Sequence, residues 1–210
     1  DFYYWYQSAT GGGIEDVLIG GLKYSYALSR KDSLYQEDYV TRHDFNVAGF
    51  NTNPDGALEF GLTYLDKPQR TDAHSGWAIT AQHVQSAFLG GQNKFAVQYG
   101  EGSGTGLGYT GNTKLDNSSK RYRIVEFFDW QVTPRFGGQV EAVYQKDFRP
   151  HGGNQEWMSL GVRPAYAISE QFKLVTELGH DQVRAKDGTR TLSKFTFAPT
   201  WSPKGPGFWT

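Results

Sequence analysis

The chain has 210 residues, in which 21 Lys and Arg oppose 22 Asp and Glu and leave a net charge of −1. This balance gives no indication of the strongly basic surface with which proteins bind nucleic acid, and the absence of cysteine excludes disulfides and thiolate metal sites. Aromatic residues make up 16% of the chain, although its mean hydropathy is −0.60. No apolar run approaches the roughly 20 residues of a membrane-spanning helix, so any membrane-spanning part would have to consist of β-strands, whose lipid-facing and water-facing residues alternate.

Alternating patterns recur along the chain in segments of about ten residues, which is the period of β-strands. The clearest segment is 57–64, where Leu58, Phe60, Leu62 and Tyr64 fall on one face. Similar patterns lie at 94–99, 158–166 and 172–178. They predict about ten antiparallel strands. The second face carries Glu59, Gln98, Arg163, Lys173 and Glu177. Such residues are costly in a dry core and ordinary in a water-filled lumen.

The connections between these segments are predicted to alternate between short and long. Tight turns are predicted at 53–56, 90–93 and 133–135 from their Gly, Pro, Asn and Asp content, and a further one at the Ser-Glu-Gln bend 169–171. Long polar connections are predicted at 31–42, 67–75, 100–118, 148–155 and 184–190. This alternation is typical of an up-and-down barrel, with short periplasmic turns and longer extracellular loops.

Aromatic residues collect near the predicted strand ends. They are predicted to form the two aromatic girdles that mark membrane interfaces: Tyr24, Tyr26, Tyr64, Trp77, Tyr99, Phe128, Trp130, Tyr144, Trp157, Tyr166 and Trp201. Core packing in a soluble β-sandwich is the alternative interpretation, since such cores also alternate and also use aromatic rings.

No motif indicates catalysis, so the sequence predicts no catalytic residues, no metal, no cofactor and no enzyme activity. The glycine-rich stretch 100–108 fits neither phosphate-binding spacing and is predicted to be a mobile surface loop. The five histidines lack metal-ligand spacing. Isolated strand carboxylates such as Glu59, Glu126, Glu141 and Glu177 are more simply lumen or loop-end charges than a glycosidase pair.

The segment Asp1-Phe2-Tyr3-Tyr4-Trp5-Tyr6 has five rings in six residues. Aromatic rings stack on the apolar face of a sugar, while nearby polar groups bind its hydroxyls. An aromatic girdle or an apolar loop plug is an equally good interpretation of composition alone.

Several segments, in order along the chain, resemble the maltoporin family of carbohydrate-selective outer-membrane porins. They are Asp-Phe-Tyr-Tyr-Trp (1–5), Gly-Gly-Ile-Glu-Asp-Val (12–17), Asn-Pro-Asp-Gly-Ala-Leu-Glu-Phe-Gly-Leu-Thr-Tyr (53–64), Gly-Trp-Ala-Ile-Thr-Ala-Gln-His-Val-Gln-Ser (76–86), Asn-Lys-Phe-Ala-Val-Gln-Tyr (93–99) and Ser-Leu-Gly-Val-Arg-Pro-Ala-Tyr (159–166).

The resemblance implies an all-β, antiparallel, up-and-down transmembrane β-barrel of roughly eighteen strands, of which about ten lie in this chain. It implies that residues 1–210 are a central part of a single barrel domain, with the end of an inward-folded constriction loop at 1–12. It further implies a homotrimer in the bacterial outer membrane, in contact with outer-membrane lipid.

By the same resemblance, Tyr3 matches the constriction tyrosine and Asp1 a neighbouring carboxylate. Trp5 and Trp209 match sugar-binding tryptophans, the latter in the aromatic "slide" along which sugars pass. One departure lies at Gln92, before Asn-Lys-Phe, where the family pattern places a slide phenylalanine. Phe88 is the candidate substitute. Loop lengths before Ala48 and at 100–117 also differ from the family pattern.

The predicted function is passive, saturable diffusion of oligosaccharides across the outer membrane. The departure at Gln92 leaves the sugar open between maltodextrins, sucrose and β-glucosides. The alternatives are a non-selective general porin, which lacks a ring slide, and a soluble carbohydrate-binding β-protein, which requires a dry inner face.

Overall fold

The computed structural model describes residues 13–33, 36–67, 72–107, 111–150, 152–205 and 207–209. These ranges contain eleven β-strands and a short 3-10 helix, Gly102–Gly106. The strands are β1 (Gly13–Ile19), β2 (Leu22–Ser33), β3 (Gln36–Asn53), β4 (Gly56–Leu65), β5 (Gly76–Phe88), β6 (Gly91–Glu101), β7 (Lys120–Thr133), β8 (Phe136–Phe148), β9 (Gln155–Ala167), β10 (Phe172–Ala185) and β11 (Gly188–Trp201). Within those ranges, no helix is long and apolar enough to cross a membrane.

The strands form one sheet in chain order, and each strand pairs antiparallel with its sequence neighbours. This arrangement confirms the predicted all-β, up-and-down fold. Among the described residues, β1 pairs only with β2 and β11 only with β10. The sheet therefore has two open edges where further strands of a barrel would pair.

The prediction for the connections is confirmed at one end of the sheet and partly wrong at the other. Tight turns join the strands near the four predicted positions, and the connection 89–90 uses left-handed backbone at Leu89 and Gly90. The connections 66–75, 102–119 and 149–154 are long, as predicted. However, 31–42 and 184–190 are not long loops, because β2 and β3 continue to Ser33 and Gln36, and β10 and β11 are separated by only two residues. Their polar residues continue the backbone ladder, since backbone pairing does not require apolar side chains.

The pairing register divides the side chains into two faces. The face that carries Phe60, Leu62, Phe95, Val97 and Ile124 is here called the outer face, and these large apolar side chains are all exposed. The opposite, inner face contains buried polar and charged side chains, namely Arg42, Thr63, Gln98, Asp129, Gln145, Asp147 and Lys173. Exposed apolar and buried polar residues reverse the usual distribution of a water-soluble protein, and this is the distribution expected of a wall between lipid and a wet lumen.

Two slanted rows of aromatic rings cross the outer face. The upper girdle, nearer the long connections, consists of Tyr64, Trp77, Tyr99, Tyr122 and Tyr144 on five successive strands. The lower girdle, nearer the tight turns, consists of Trp130, Phe136, Tyr166, Phe172 and Trp201. The edge-to-face contact of Trp77 with Tyr99 and the tilted contact of Tyr99 with Tyr122 have ring centroids 5.4 and 4.6 Å apart.

The slant of the girdles gives the tilt of the strands. Tyr64 pairs with Trp77 and Tyr99 with Tyr122, whereas the steps from Trp77 to Tyr99 and from Tyr122 to Tyr144 each drop two residues toward the tight turns. The average drop is therefore one residue per strand. Each residue advances a strand by about 3.4 Å, and neighbouring strands lie about 4.8 Å apart. If the girdle lies parallel to the membrane, a drop of one residue per strand corresponds to a strand tilt of about 35° from the membrane normal. The lower girdle descends at the same rate, and tilts of this size are typical of outer-membrane barrels.

The girdles also give the thickness of the apolar band. Trp130 lies eight residues beyond Tyr122 on β7, which is about 27 Å along the strand and about 22 Å along the membrane normal after correction for the tilt. This height is close to the apolar band of about 25 Å on transmembrane β-barrels.

Four rings predicted in the girdles lie outside these two rows. Tyr24, Tyr26 and Phe128 are on the outer face, opposite Val47, Phe45 and Val140, whereas Trp157 is on the other face. Trp157 pairs with Gln145 on β8 and Val183 on β10, so its side chain is on the inner face. The prediction is wrong for this residue because a position near a strand end does not define the face of a side chain. Met158 and Leu160 are on the outer face, so the alternation of the strand places Trp157 on the inner face.

A polar pair interrupts the outer face. Glu126 lies midway between Tyr122 and Trp130 on β7, and the side-chain amide of Asn93 on β6 donates to its carboxylate. A carboxylate at mid-height of a lipid-facing surface is unfavourable. Glu126→Gln retains an acceptor for Asn93 without the charge.

We expect Glu126→Gln to raise the free energy of unfolding by on the order of 1 kcal/mol, measured from urea denaturation of the full-length channel in lipid vesicles. Glu177→Gln is the control, because its carboxylate is on the inner face between two cations and its loss should destabilise. A destabilised Glu126→Gln variant would contradict a lipid-exposed position for Glu126.

Candidate functional site: the inner face

Hydrogen-bonded polar side chains line the inner face from β3 to β11. On β3 and β4, Arg42 Nε lies 2.7 Å from Asp44 Oδ2, and the Thr63 hydroxyl donates to Asp44 Oδ1 at 2.6 Å. On β4 and β5, the Gln82 amide donates to Glu59 at 2.8 Å. The two-residue period of each strand brings these groups to one side, where they form a polar surface along the wall.

A buried carboxylate organises the upper part of β7 and β8. Asp147 is 3% exposed and accepts from Arg121 Nε and Nη2 at 2.7 and 2.8 Å, in a two-point contact. Arg149 Nη2 donates to it at 2.6 Å, and the Gln145 amide donates at 3.1 Å. Two-point arginine–carboxylate contacts fix orientation as well as charge, so Asp147 holds both guanidinium groups in place.

The glycine-rich connection after β6 folds inward onto this cluster. Residues Gly102 to Leu107 are buried, the Gly102 N–H donates to the Ser119 carbonyl at 3.0 Å, and Arg121 Nη1 donates to the Thr105 carbonyl at 2.9 Å. A Cβ on Gly104 would overlap the backbone of Trp77. The prediction of a mobile surface loop is therefore wrong. The glycines allow close backbone approach, so this segment packs against the upper inner wall.

The lower part of the inner face holds Trp209. Its indole Nε1 donates to Asp129 Oδ2 at 2.7 Å, and the other oxygen of Asp129 accepts from the Gln92 N–H at 3.0 Å. The preceding backbone is also fixed, since the Phe208 N–H donates to Gln131 at 2.7 Å and Lys173 Nζ donates to the Phe208 carbonyl at 3.0 Å. Trp209 itself is 65% exposed. Its ring is thus oriented by one buried carboxylate and remains open to the lumen side.

The structure around Trp209 also shows where Gln92 lies, the residue that departs from the family pattern. Gln92 lies on the inner face beside the anchor of Trp209. Phe88 packs edge-to-face against Phe128 of the outer face, with ring centroids 5.6 Å apart. Phe88 therefore does not substitute for a slide phenylalanine, because the irregular pairing between Gln85 and Phe88 places it with the lower girdle.

The other predicted site residues, Asp1, Tyr3 and Trp5, lie outside the described residues, as does the whole predicted constriction segment 1–12. Sequence reasoning did not identify the Arg121–Asp147 cluster or the inward position of Trp157. For the cluster, the signal was present in β7, where Arg121, Arg123 and Val125 alternate with Tyr122 and Ile124. In the described part of the chain, no group of three His, Asp or Glu side chains is arranged to hold a metal ion.

A tilted antiparallel sheet with an apolar, doubly girdled outer face and a polar, hydrogen-bonded inner face defines the wall of a porin. The family model described as LamB porin matches residues 1–210. The chain therefore belongs to the LamB porin family. This is a family of sugar-selective channels of the bacterial outer membrane and not a family of enzymes.

Proposed function

We propose that this chain forms the central part of a barrel that conducts oligosaccharides by passive, saturable diffusion, and that residues 1–12 contribute its constriction. The sugars are maltodextrins or related oligosaccharides such as sucrose and β-glucosides. The channel is proposed to be a homotrimer, which chemical cross-linking of the full-length channel in membranes tests directly.

The observation that carries the proposal is the anchored, open ring of Trp209. Its indole N–H is fixed by Asp129, while the ring is exposed on the same side of the sheet as the polar wall. Such a ring offers an apolar stacking surface to a pyranose, and the surrounding carboxylate, amide and ammonium groups supply hydrogen-bond partners. Several weak contacts of this kind permit both entry and release of the sugar.

The departure at Gln92 bears on which sugar passes. An amide replaces an apolar ring next to Trp209, so one stacking contact is exchanged for hydrogen-bonding capacity. This exchange favours a sugar that presents hydroxyl groups at that point, so we do not expect a strict preference for maltodextrins.

The test is single-channel conductance of the full-length channel in a planar bilayer, titrated separately with maltotriose, sucrose and cellobiose. We expect one sugar to block the current saturably. Loss of a ring should weaken its binding about 5- to 10-fold in Trp209→Ala and in Tyr3→Ala, since aromatic contacts contribute on the order of 1 kcal/mol. Trp201→Phe, on the outer face, is the control and should bind the sugar as the unmodified channel does.

A large conductance that none of the three sugars blocks would instead indicate a general porin. Correctly folded protein without conductance would contradict any channel function, including the proposed one.

A further inference from the structure

A shallow groove lies on the inner face between β8, β9 and β10, and its lower edge adjoins the anchor of Trp209, because Gln139 pairs with Asp129. It is lined by Gln139, Glu141, Gly161, Arg163, Glu177 and Gly179. These residues come from three strands in adjacent register, with Glu141 opposite Gly161 and Gly161 opposite Gly179. The groove is therefore part of the wall and not a feature of a loop.

The floor of the groove is bare backbone. Gly161 and Gly179 are paired neighbours, and a Cβ on either would meet nothing closer than 3.9 Å. Neither glycine needs left-handed backbone, so conformation does not explain the choice of glycine at either position. What the two glycines create is open space in the wall between the polar side chains of the groove.

The side chains on the two sides of the groove are polar, and they differ in the number of hydrogen bonds and ion pairs that they make. Glu177 is held by Arg163 Nη2 at 2.7 Å and Lys194 Nζ at 2.6 Å. Across the glycines, the side chains of Gln139 and Glu141 make no hydrogen bond or ion pair to any described residue. The groove thus offers oriented cations on one side and available acceptors and donors on the other, which suits a ligand rich in hydroxyl groups.

An aromatic platform stands above the floor on the same strand and the same face. Trp157 lies four residues from Gly161 on β9, about 13 Å toward the long connections. Its indole N–H donates to Asp181 Oδ1 at 3.3 Å, and its side chain is 38% exposed. The intervening inner-face residue is Ser159, so no bulky side chain of β9 separates the platform from the floor.

We propose that Trp157 and the glycine floor at Gly161 and Gly179 form a sugar-binding site of at least two rings, which begins beside the anchor of Trp209 and extends toward the long connections. One ring stacks on Trp157, and another ring of the same sugar lies over the glycines with its hydroxyls toward Glu141 and Arg163. The spacing exceeds a single pyranose ring, so the site selects oligosaccharides over monosaccharides. This inference rests on the proposed function of the channel and adds a position on the sugar path.

The test compares variants of the full-length channel in the same bilayer assay, with glucose as a single-ring probe beside maltotriose, sucrose and cellobiose. Gly179→Val fills the floor with three carbons, and Ala142→Leu adds three carbons to the outer face as the matched control. Trp157→Ala removes the platform, while Trp157→Phe retains a ring without the indole N–H.

We expect Gly179→Val and Trp157→Ala each to weaken block by the conducted oligosaccharide about 5- to 10-fold. Glucose block should change much less, and Trp157→Phe should restore most of the binding. Ala142→Leu should behave as the unmodified channel. Unchanged oligosaccharide block in both Gly179→Val and Trp157→Ala, in a channel that the sugar blocks normally, would overturn this site alone. Absence of block by every sugar in the unmodified channel would overturn the proposed function and this site with it.

Discussion

Asp147→Asn should be among the most destabilising single substitutions on the inner wall, with a loss of about 3 kcal/mol in the free energy of unfolding. The carboxylate is buried and accepts from Arg121, Arg149 and Gln145. Asparagine fills the same space, yet it leaves the mostly buried Arg121 guanidinium without its counter-charge, and breaking a buried pair costs more than the pair itself contributes. Urea denaturation of the full-length channel in lipid vesicles gives the value.

A matched substitution separates this effect from the loss of any acidic charge. Asp187 also pairs with an arginine, Arg190, but both side chains are about two-thirds exposed at the tip of the β10–β11 hairpin. Exposed pairs contribute little, so Asp187→Asn should alter stability by less than about 0.5 kcal/mol. Equal losses in the two variants would show that Asp147 does not organise a buried cluster.

The strands and their faces could be predicted from the sequence because the membrane imposes a simple rule on them. One face of segments such as 57–64 and 158–166 must be apolar against lipid, and the other must be polar against water. Both segments have the predicted faces in the structure. The same rule does not apply to strand segments beyond the apolar band, because neither face is required to be apolar there. There β2, β3, β10 and β11 continue as strands through sequences with no alternation to reveal them.

The site could be predicted less well, for reasons that particular residues make clear. Trp157 and Trp77 both lie near strand ends, and only the pairing register shows that one faces the lumen and the other belongs to the upper girdle. Gly102 to Gly106 has the composition of a flexible linker, but the same lack of Cβ atoms permits tight packing onto β5 and β6. Composition alone does not distinguish these two uses of glycine.

The inner wall is polar at every level but is not uniform. The folded glycine-rich segment and the Arg121–Asp147 cluster lie at the end with long connections, and Trp209 with Asp129 lies at the end with tight turns. Rigid ion pairs at one end and an exposed ring at the other differ in what they offer a sugar. We expect the first to restrict the cross-section of the lumen and the second to provide a stacking surface for a sugar. We therefore expect a substitution that displaces the glycine-rich segment to change the conductance of the channel more than its affinity for sugar.

Gly104→Val is the substitution that tests this division most directly. A Cβ at Gly104 would overlap the Trp77 backbone. The segment Gly102 to Leu107 therefore cannot remain packed against the inner wall in this variant. We expect the displaced segment to become accessible to protease and the single-channel conductance to rise, at a cost of about 1 to 3 kcal/mol in stability. Gly152→Val is the control, because its Cβ would meet only Arg149 side-chain atoms at ordinary contact distance, 3.7 Å and beyond. A Gly104→Val channel with unchanged conductance and unchanged protection would show that the segment does not restrict the lumen.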